Sequence, residues 1–502
     1  MRKTLTILFL LCSALGMALV PPRDPSQFGK WQAERERMQQ RNQQTFDKAQ
    51  APAAMYDVGT QMIIPRVLVI MANFANYEFI STKADVDSMF NARNWTKDGA
   101  TGSVRQYYFD QSAGMYEPIF DVVGPITLSH SYGYYGKLGA GSIGHMVTEA
   151  CAIVDDEVDF TNYDSDGNGS VDLVYVLYAG FGQNDERYIP KELVPVTDSL
   201  IWPAYWNVVS AGYGTNKREF DGKKIYACEY SNELDGYLST ADKSVVAGIG
   251  VPCHEYCHAL GLPDLYATVK GKNHKLLGAW DIMCYGPYNN DAHTPPSLSA
   301  YERFFMGWLT PTLITEPDTL MLEHIATSNK AYMIAENDKH NMNGLNPDST
   351  VFYLLENRQL ASWDIGIPGS GLMLTRINFQ PALWNSNTVN NNPESLGVDL
   401  IEADGQTPGT NTADGYWGKA TDLFPAGATE YTGIPDHAIT DISMNDGIIS
   451  FVYRGGKKPT DPTSSVLVPA DDRRVYKEIR NGQLLIHSNG HTYTAFGAEI
   501  YQ

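Results

Sequence analysis

The stretch Cys253-His254-Glu255-Tyr256-Cys257-His258-Ala259-Leu260-Gly261-Leu262-Pro263-Asp264 decides how the rest of the chain is read. His254 and His258 stand four residues apart. On a helix they share one face, so their imidazoles can reach a single ion. Glu255 follows the first histidine and is placed to take a proton from a water held by that ion. Zinc suits such a donor set and lowers the pKa of a bound water to about 7. The helix is expected to run from about Ser244 to Leu260 and to stop at Gly261. The pentapeptide alone also fits a surface helix with two unrelated histidines, so its surroundings carry the decision.

Three features of those surroundings favour a metal site. Gly261 breaks the helix and lets the chain reverse. Asp264 then falls where the extended metzincin-type pattern places a third ligand, here a carboxylate. Trp280-Asp281-Ile282-Met283-Cys284-Tyr285-Gly286 puts Met283 in a tight turn, as in the Met-turn of that group. Tyr285 is read either as a group that reaches the metal or the oxyanion, or as a packed aromatic. A rival third ligand is Glu302, on a helix expected after Pro295-Pro296, in the manner of sites completed by a distant glutamate. A structural Cys/His site built on Cys253 and Cys257 is disfavoured, because the two cysteines do not share a face with both histidines.

Composition bounds the remaining choices. The 502 residues carry a net charge of -21, which repels nucleic acid and anionic membranes. Residues 1–18 read as a signal peptide: Arg2 and Lys3, then the apolar stretch from Leu5 to Leu15, then Gly16-Met17-Ala18. That stretch is too short to span a bilayer, and no later run is long and apolar enough. Five cysteines remain beyond Cys12, an odd number, so the chain is no disulfide scaffold.

The expected fold class is α+β: a metzincin-like catalytic domain, an all-β sandwich-like region and a small β-rich tail. Residues 19–60 read as a pro-segment or surface helix, and 61–310 as the catalytic domain. Strands are expected at 65–71, 173–178 and 224–230, helices at 86–95, 103–111 and 143–156, and a hairpin at 116–128 around Gly124-Pro125. Residues 311–455 hold short alternating segments split by Gly, Pro and Asn, the pattern of a sandwich. Residues 456–470 are a linker and 471–502 the tail.

Asp164-Ser165-Asp166-Gly167-Asn168-Gly169-Ser170-Val171-Asp172 sets side-chain oxygens at alternate positions, like the first half of an EF-hand loop. Tyr175 stands where the bidentate glutamate would be. The loop is read either as a Ca²⁺ staple using Asp164, Asp166, Asn168, the Ser170 carbonyl and Asp172, or as an acidic turn before a strand.

Gly248 to Tyr266, Pro295 to Tyr301, Leu355 to Gln359, Pro368 to Leu372 and Leu400 to Gly405 together resemble the immune inhibitor A-type metallopeptidases, secreted bacterial proteases. The resemblance runs from about Pro65 to Gly455. It implies that His254, His258 and Asp264 bind zinc and that Glu255 is the base. Two departures are Cys257, at a position that is usually small, and Thr375-Arg376-Ile377-Asn378, where the family tends to carry an aromatic and a histidine. Val475 to Ile486 and Asn489 to Tyr493 resemble the C-terminal sorting modules of Bacteroidetes exported proteins, read by an outer-membrane secretion system. The expected function is a secreted zinc endopeptidase acting on extracellular proteins. The alternative is a non-catalytic binding or adhesion protein on a peptidase scaffold.

Overall fold

The apolar run Val67–Met71 becomes the middle of a sheet, which it can do only with both faces covered. In the computed structural model, residues 18–32, 35, 64–136, 142–194, 200–213, 216–269, 277–406 and 417–456 are described, with the backbone of 476–480, 483–488, 491–494 and 499–500. Most of the expected signal peptide and residues 36–63 lie outside them.

Arg66–Asn73 (β2) lies between Ile119–Thr127 (β3) and Val174–Phe181 (β4), parallel to both. β4 also pairs in parallel with Ala227–Thr240 (β6), which pairs antiparallel with Ala204–Asn207 (β5). Ala18–Leu19 (β1) closes that edge, antiparallel to β5, and Lys243–Val246 (β7) folds back on β6. The order is β1-β5-β6-β4-β2-β3. Helices α1 (Lys83–Asn91), α2 (Val104–Gln111) and α3 (Ser142–Val154) join these strands. Thr82 and Ser103 cap the first two, each accepting a backbone N–H three residues on.

Two local expectations differ from the structure. Residues 119–127 form one strand rather than a hairpin. Pro125 has no N–H to donate, and the edge position of β3 tolerates this with a register shift opposite Ile70 and Ala72. The histidine-bearing helix α4 spans Gly250–Ala259, because β-branched Val245 and Val246 pair as strand against Asp235 and Leu234. Pro252 then sits in the first turn, where its missing N–H costs nothing.

Beyond α5 (Ala300–Phe305) the chain is mostly strand. Thr312–Leu313 (β8), Tyr332–Ala335 (β10), Phe352–Arg358 (β11), Gly371–Ile377 (β12) and Val398–Leu400 (β13) form one sheet in the order β8-β10-β11-β12-β13. Asp318–Leu322 (β9), Ile439–Asn445 (β14) and Ile448–Tyr453 (β15) form a second, in the order β9-β15-β14. Side chains alternate across the first sheet. Ile334, Tyr353, Leu355, Leu372 and Leu374 pack with the second sheet. Met333, Phe352, Leu354, Met373 and Ile377 join the same core as β2, β4 and α4. The sandwich-like region is thus packed continuously onto what precedes it, with the short α6 (Pro381–Asn385) between β12 and β13.

Contacts divide the chain into two units, Met1–Gly456 and Lys457–Gln502. In the second, Tyr476–Arg480, Gln483–Ser488, His491–Thr494 and Glu499–Ile500 form a four-stranded antiparallel sheet in chain order. Among the described residues, no helix is long and apolar enough to cross a membrane.

Candidate metal centre

The residues Gly250 to His258 of α4 are all buried, so the histidines are set by packing on every side. Gly250 can only be glycine: a Cβ there would stand 1.8 Å from the Pro287 carbonyl oxygen. The back of the helix meets tyrosines. Tyr108 donates to the Cys253 carbonyl at 2.6 Å and lies 3.4 Å from Cys257 Sγ, and Tyr116 and Tyr256 join hydroxyls at 2.6 Å. Cys257, the departure at this position, therefore contacts Tyr108. Burial pushes its thiol, and those of Cys253 and Cys284, upward, so these are packed thiols.

The front of the helix carries His254 and His258. Their Nδ1 atoms lie 2.7 Å from the carbonyls of Ile282 and Leu262, which leaves both Nε2 atoms for a metal. Gly261, at φ +96°, turns the chain back with its neighbour Leu262 bonded to the Cys257 carbonyl. Asp264 is thereby returned to the histidines. The Nε2 atoms stand 3.2 Å apart, and Asp264 Oδ1 is 3.5 Å from His254 and 3.2 Å from His258. Three donors around one tetrahedral ion with bonds of about 2.0–2.1 Å should stand about 3.3–3.4 Å apart. Asp264 Oδ1 is buried and accepts no hydrogen bond, so the donor set fits a cation. Burial would raise the Asp264 carboxyl, but the two histidines and Arg35 hold it well below the usual carboxylate range.

The turn at Met283 supports this arrangement. Met283 is buried, its N–H donates to Asp281 Oδ1 at 2.7 Å, and its carbonyl accepts from Leu265 N–H at 2.8 Å, next to Asp264. Tyr285 is buried with its ring 6.4 Å from Trp417. Glu302, the rival ligand, instead closes a capping box at Ser299, accepting from its N–H at 2.6 Å.

Asn387 was not legible in the sequence. It arrives from the segment after α6, and its side chain grips Asp264 twice. Nδ2 donates to Asp264 Oδ2, and Oδ1 accepts from the Asp264 N–H, both at 2.7 Å. At φ +53° it occupies a backbone region that asparagine tolerates. The only hint in the chain is its place in the polar Asn385–Asn392 run, which otherwise reads as loop.

Glu255 offers a carboxylate oxygen within 4.8 Å of both histidine nitrogens. Burial pushes its carboxyl up to about 8. Its two oxygens are engaged: Oε1 accepts from Val20 N–H at 2.8 Å and Oε2 from Tyr205 N–H at 2.7 Å. Val20 belongs to a segment that lies along the site. Tyr266 donates to the Leu19 carbonyl, Trp202 to that of Val20 at 2.9 Å and Tyr288 to that of Pro21 at 2.5 Å. Farther on, Arg35 is buried with a nitrogen 3.6 Å from Asp264 Oδ2.

The acidic loop is assembled in part. Asp164, Asp166 and Asp172 bring carboxylate oxygens within 4.8 Å of one another. Asn168 turns its oxygen to the Ser170 N–H at 2.8 Å, and Ser170 itself pairs with Lys224 in a short parallel ladder. Lys223 donates to Asp164 at 2.5 Å. Asp172 is buried with Oδ1 unbonded, and burial, with Asp166 and Asp164 nearby, lifts its carboxyl to about 6.

Comparison with known proteins points to a peptidase family. Residues 77–308 match the family described as immune inhibitor A peptidase M6, catalytic domain. The chain is 27% identical over 286 residues to immune inhibitor A of Bacillus thuringiensis subsp. alesti, a match covering 48% of this chain and 39% of that protein. It is 23% identical over 247 residues to the pre-pro-metalloprotease PrtV of Vibrio cholerae, covering 44% of this chain and 25% of that one. The chain thus spans well under half the length of these relatives. The likeness to immune inhibitor A-type peptidases that the sequence suggested holds.

Proposed function

We propose, from the peptidase domain matched over residues 77–308, that this protein is a secreted zinc-dependent endopeptidase. The observation that carries the reading is the triangle of His254, His258 and Asp264, with Glu255 beside it and Asp264 Oδ1 left without a hydrogen-bond partner. Those three residues would hold the ion and Glu302 would not. When bound, zinc supplies Lewis acidity toward the scissile carbonyl and the attacking water.

The chain's own groups do the rest. Glu255 takes a proton from the water as its oxygen bonds to the carbonyl carbon. It then delivers that proton to the amine nitrogen as the C–N bond breaks. Tyr285 is the candidate donor to the developing oxyanion. Strand β5, once its edge is clear, offers unpaired backbone groups to an extended substrate.

Residues 1–18 act as the export signal and 19–60 as a pro-segment. The pro-segment reading is supported by Val20 on Glu255 and by Arg35 beside Asp264, which occupy the two groups a substrate and its water would need. The loop from Asp164 to Asp172 is proposed as a Ca²⁺ staple, supported by the unbonded Asp172 oxygen. Residues 471–502 are proposed as a sorting module for an outer-membrane secretion system.

The test is casein hydrolysis by the secreted chain, with and without a chelator, beside Glu255→Ala. Digestion that survives the substitution or persists without metal would overturn the reading. N-terminal sequencing of the secreted chain tests the processing: a start within 19–60 is not expected of the active form.

A further inference from the structure

The N-terminal segment does more than cover Glu255. Three residues past Val20, Arg23 enters an acidic pocket whose walls belong to the peptidase body. Its Nη1 donates to both oxygens of Asp235, each at 2.9 Å, and lies 3.6 Å from Asp185 Oδ2. The rings of Tyr237 and Tyr288 flank the guanidinium at 4.5 Å and 5.4 Å. Asp185 and Asp235 are 3% and 1% exposed, so neither charge is shielded by water. Both are held in place by the backbone: Gly236 N–H donates to Asp185 at 2.9 Å and Leu238 N–H to Asp235 at 2.7 Å.

The fit of Arg23 is incomplete. Its Nη2 makes no hydrogen bond, and Asp185 Oδ1, buried in the same pocket, accepts none. A small gap, partly open to solvent, adjoins the contact and is lined by Asn184, Asn232 and Val251 as well. The pocket therefore holds this guanidinium without being completed by it.

Any peptide reaching Glu255 must displace Val20 and, with it, the stretch leading to Arg23. That would leave two buried carboxylates without a counter-charge, a cost that an incoming cationic side chain would relieve. We propose that Asp185, Asp235, Tyr237 and Tyr288 form a substrate subsite for an arginine side chain, occupied here by the chain's own Arg23. The rings of Tyr237 and Tyr288, which stack against a planar guanidinium, favour it over an ammonium. The subsite rests on the peptidase reading and supplies a specificity to it.

Two measurements test the proposal, the first in the full chain and the second in its processed form. In the first, Arg23→Ala vacates the pocket and N-acetylarginine amide is titrated in, with the norleucine analogue as control. A saturable rise in melting temperature with the arginine probe alone is expected. No rise, or an equal rise with both probes, would overturn the subsite. In the second, the zinc-loaded processed form, from which residues 19–60 and with them Arg23 have been removed, is given peptides with one arginine walked through successive positions. At one position arginine should raise kcat/KM at least tenfold over alanine and several-fold over lysine, and adding Asp235→Asn should erase that ratio. Cleavage without any positional preference would refute the subsite and spare the peptidase. No cleavage at all, with the guanidinium titration intact, would refute the peptidase and spare the pocket.

Discussion

Replacing Asn387 with glycine should loosen the metal centre from a distance of 123 residues. Two hydrogen bonds vanish with the side chain, and both end on Asp264. One is donated to a buried carboxylate and contributes about 1.5–3 kcal/mol. The other, from a backbone N–H to an amide oxygen, contributes about 0.5–1.5 kcal/mol. Glycine accepts the φ of +53° without strain, so no backbone penalty obscures the loss. Asp264 would then be free to rotate its Oδ1 away from the two histidine nitrogens. Groups that orient a ligand in this way typically govern metal affinity by about 10–100-fold. The assay is competition for zinc against a chromophoric chelator, run beside thermal melting of the metal-free chain. Zinc affinity within twofold of the unchanged protein, with Asp264→Ala as the positive control, would refute the claim that Asn387 positions the ligand.

Other outcomes follow from the same contacts. Glu255→Gln keeps the shape of the side chain and should retain zinc while losing about 10²–10⁴ in kcat, read with a quenched peptide. Arg35→Met should weaken the hold of the N-terminal segment and raise the initial rate of the unprocessed chain; an unchanged rate would detach Arg35 from latency. The acidic loop gives a pH dependence. The folded carboxyl of Asp172, near 6, lies above its ordinary value of 3.8, so the folded chain binds that proton more tightly. The metal-free protein should therefore lose stability as pH rises from about 4 to 6. Asp172→Asn should remove that loss and leave stability at pH 4 unchanged. Calcium should raise the melting temperature of the unsubstituted chain at pH 7, less at pH 5, and not at all in Asp172→Asn. Gly250→Ala should fold poorly, because its Cβ would collide with the Pro287 carbonyl, and circular dichroism would detect this.

The extent to which the sequence was readable follows the range of each interaction. The spacing of His254 and His258 specifies a shared helix face because the helical repeat is a local property of the backbone. Gly261 forecast the reversal that returns Asp264, since only a residue at ease with positive φ can end a helix that way. The apolar runs at 65–71 and 173–178 announced buried strands for the same local reason. Where local signals competed, tertiary pairing won: Val245 and Val246 left the expected helix for a strand on β6, and the stretch around Pro125 found β2 instead of itself.

By itself, then, the sequence determined the donor chemistry: which residues can bind a metal, which can carry a proton, and on what local element each sits. Only the tertiary structure decided what completes that chemistry. Asn387 reaches Asp264 across 123 positions, Arg23 reaches Asp235 across 212, and Val20 reaches Glu255 across 235. Such contacts have no period and no characteristic spacing. They exist because burying the sheets, α4 and the N-terminal segment in one core brings distant polar groups out of water together, where each must find a partner or remain a cost.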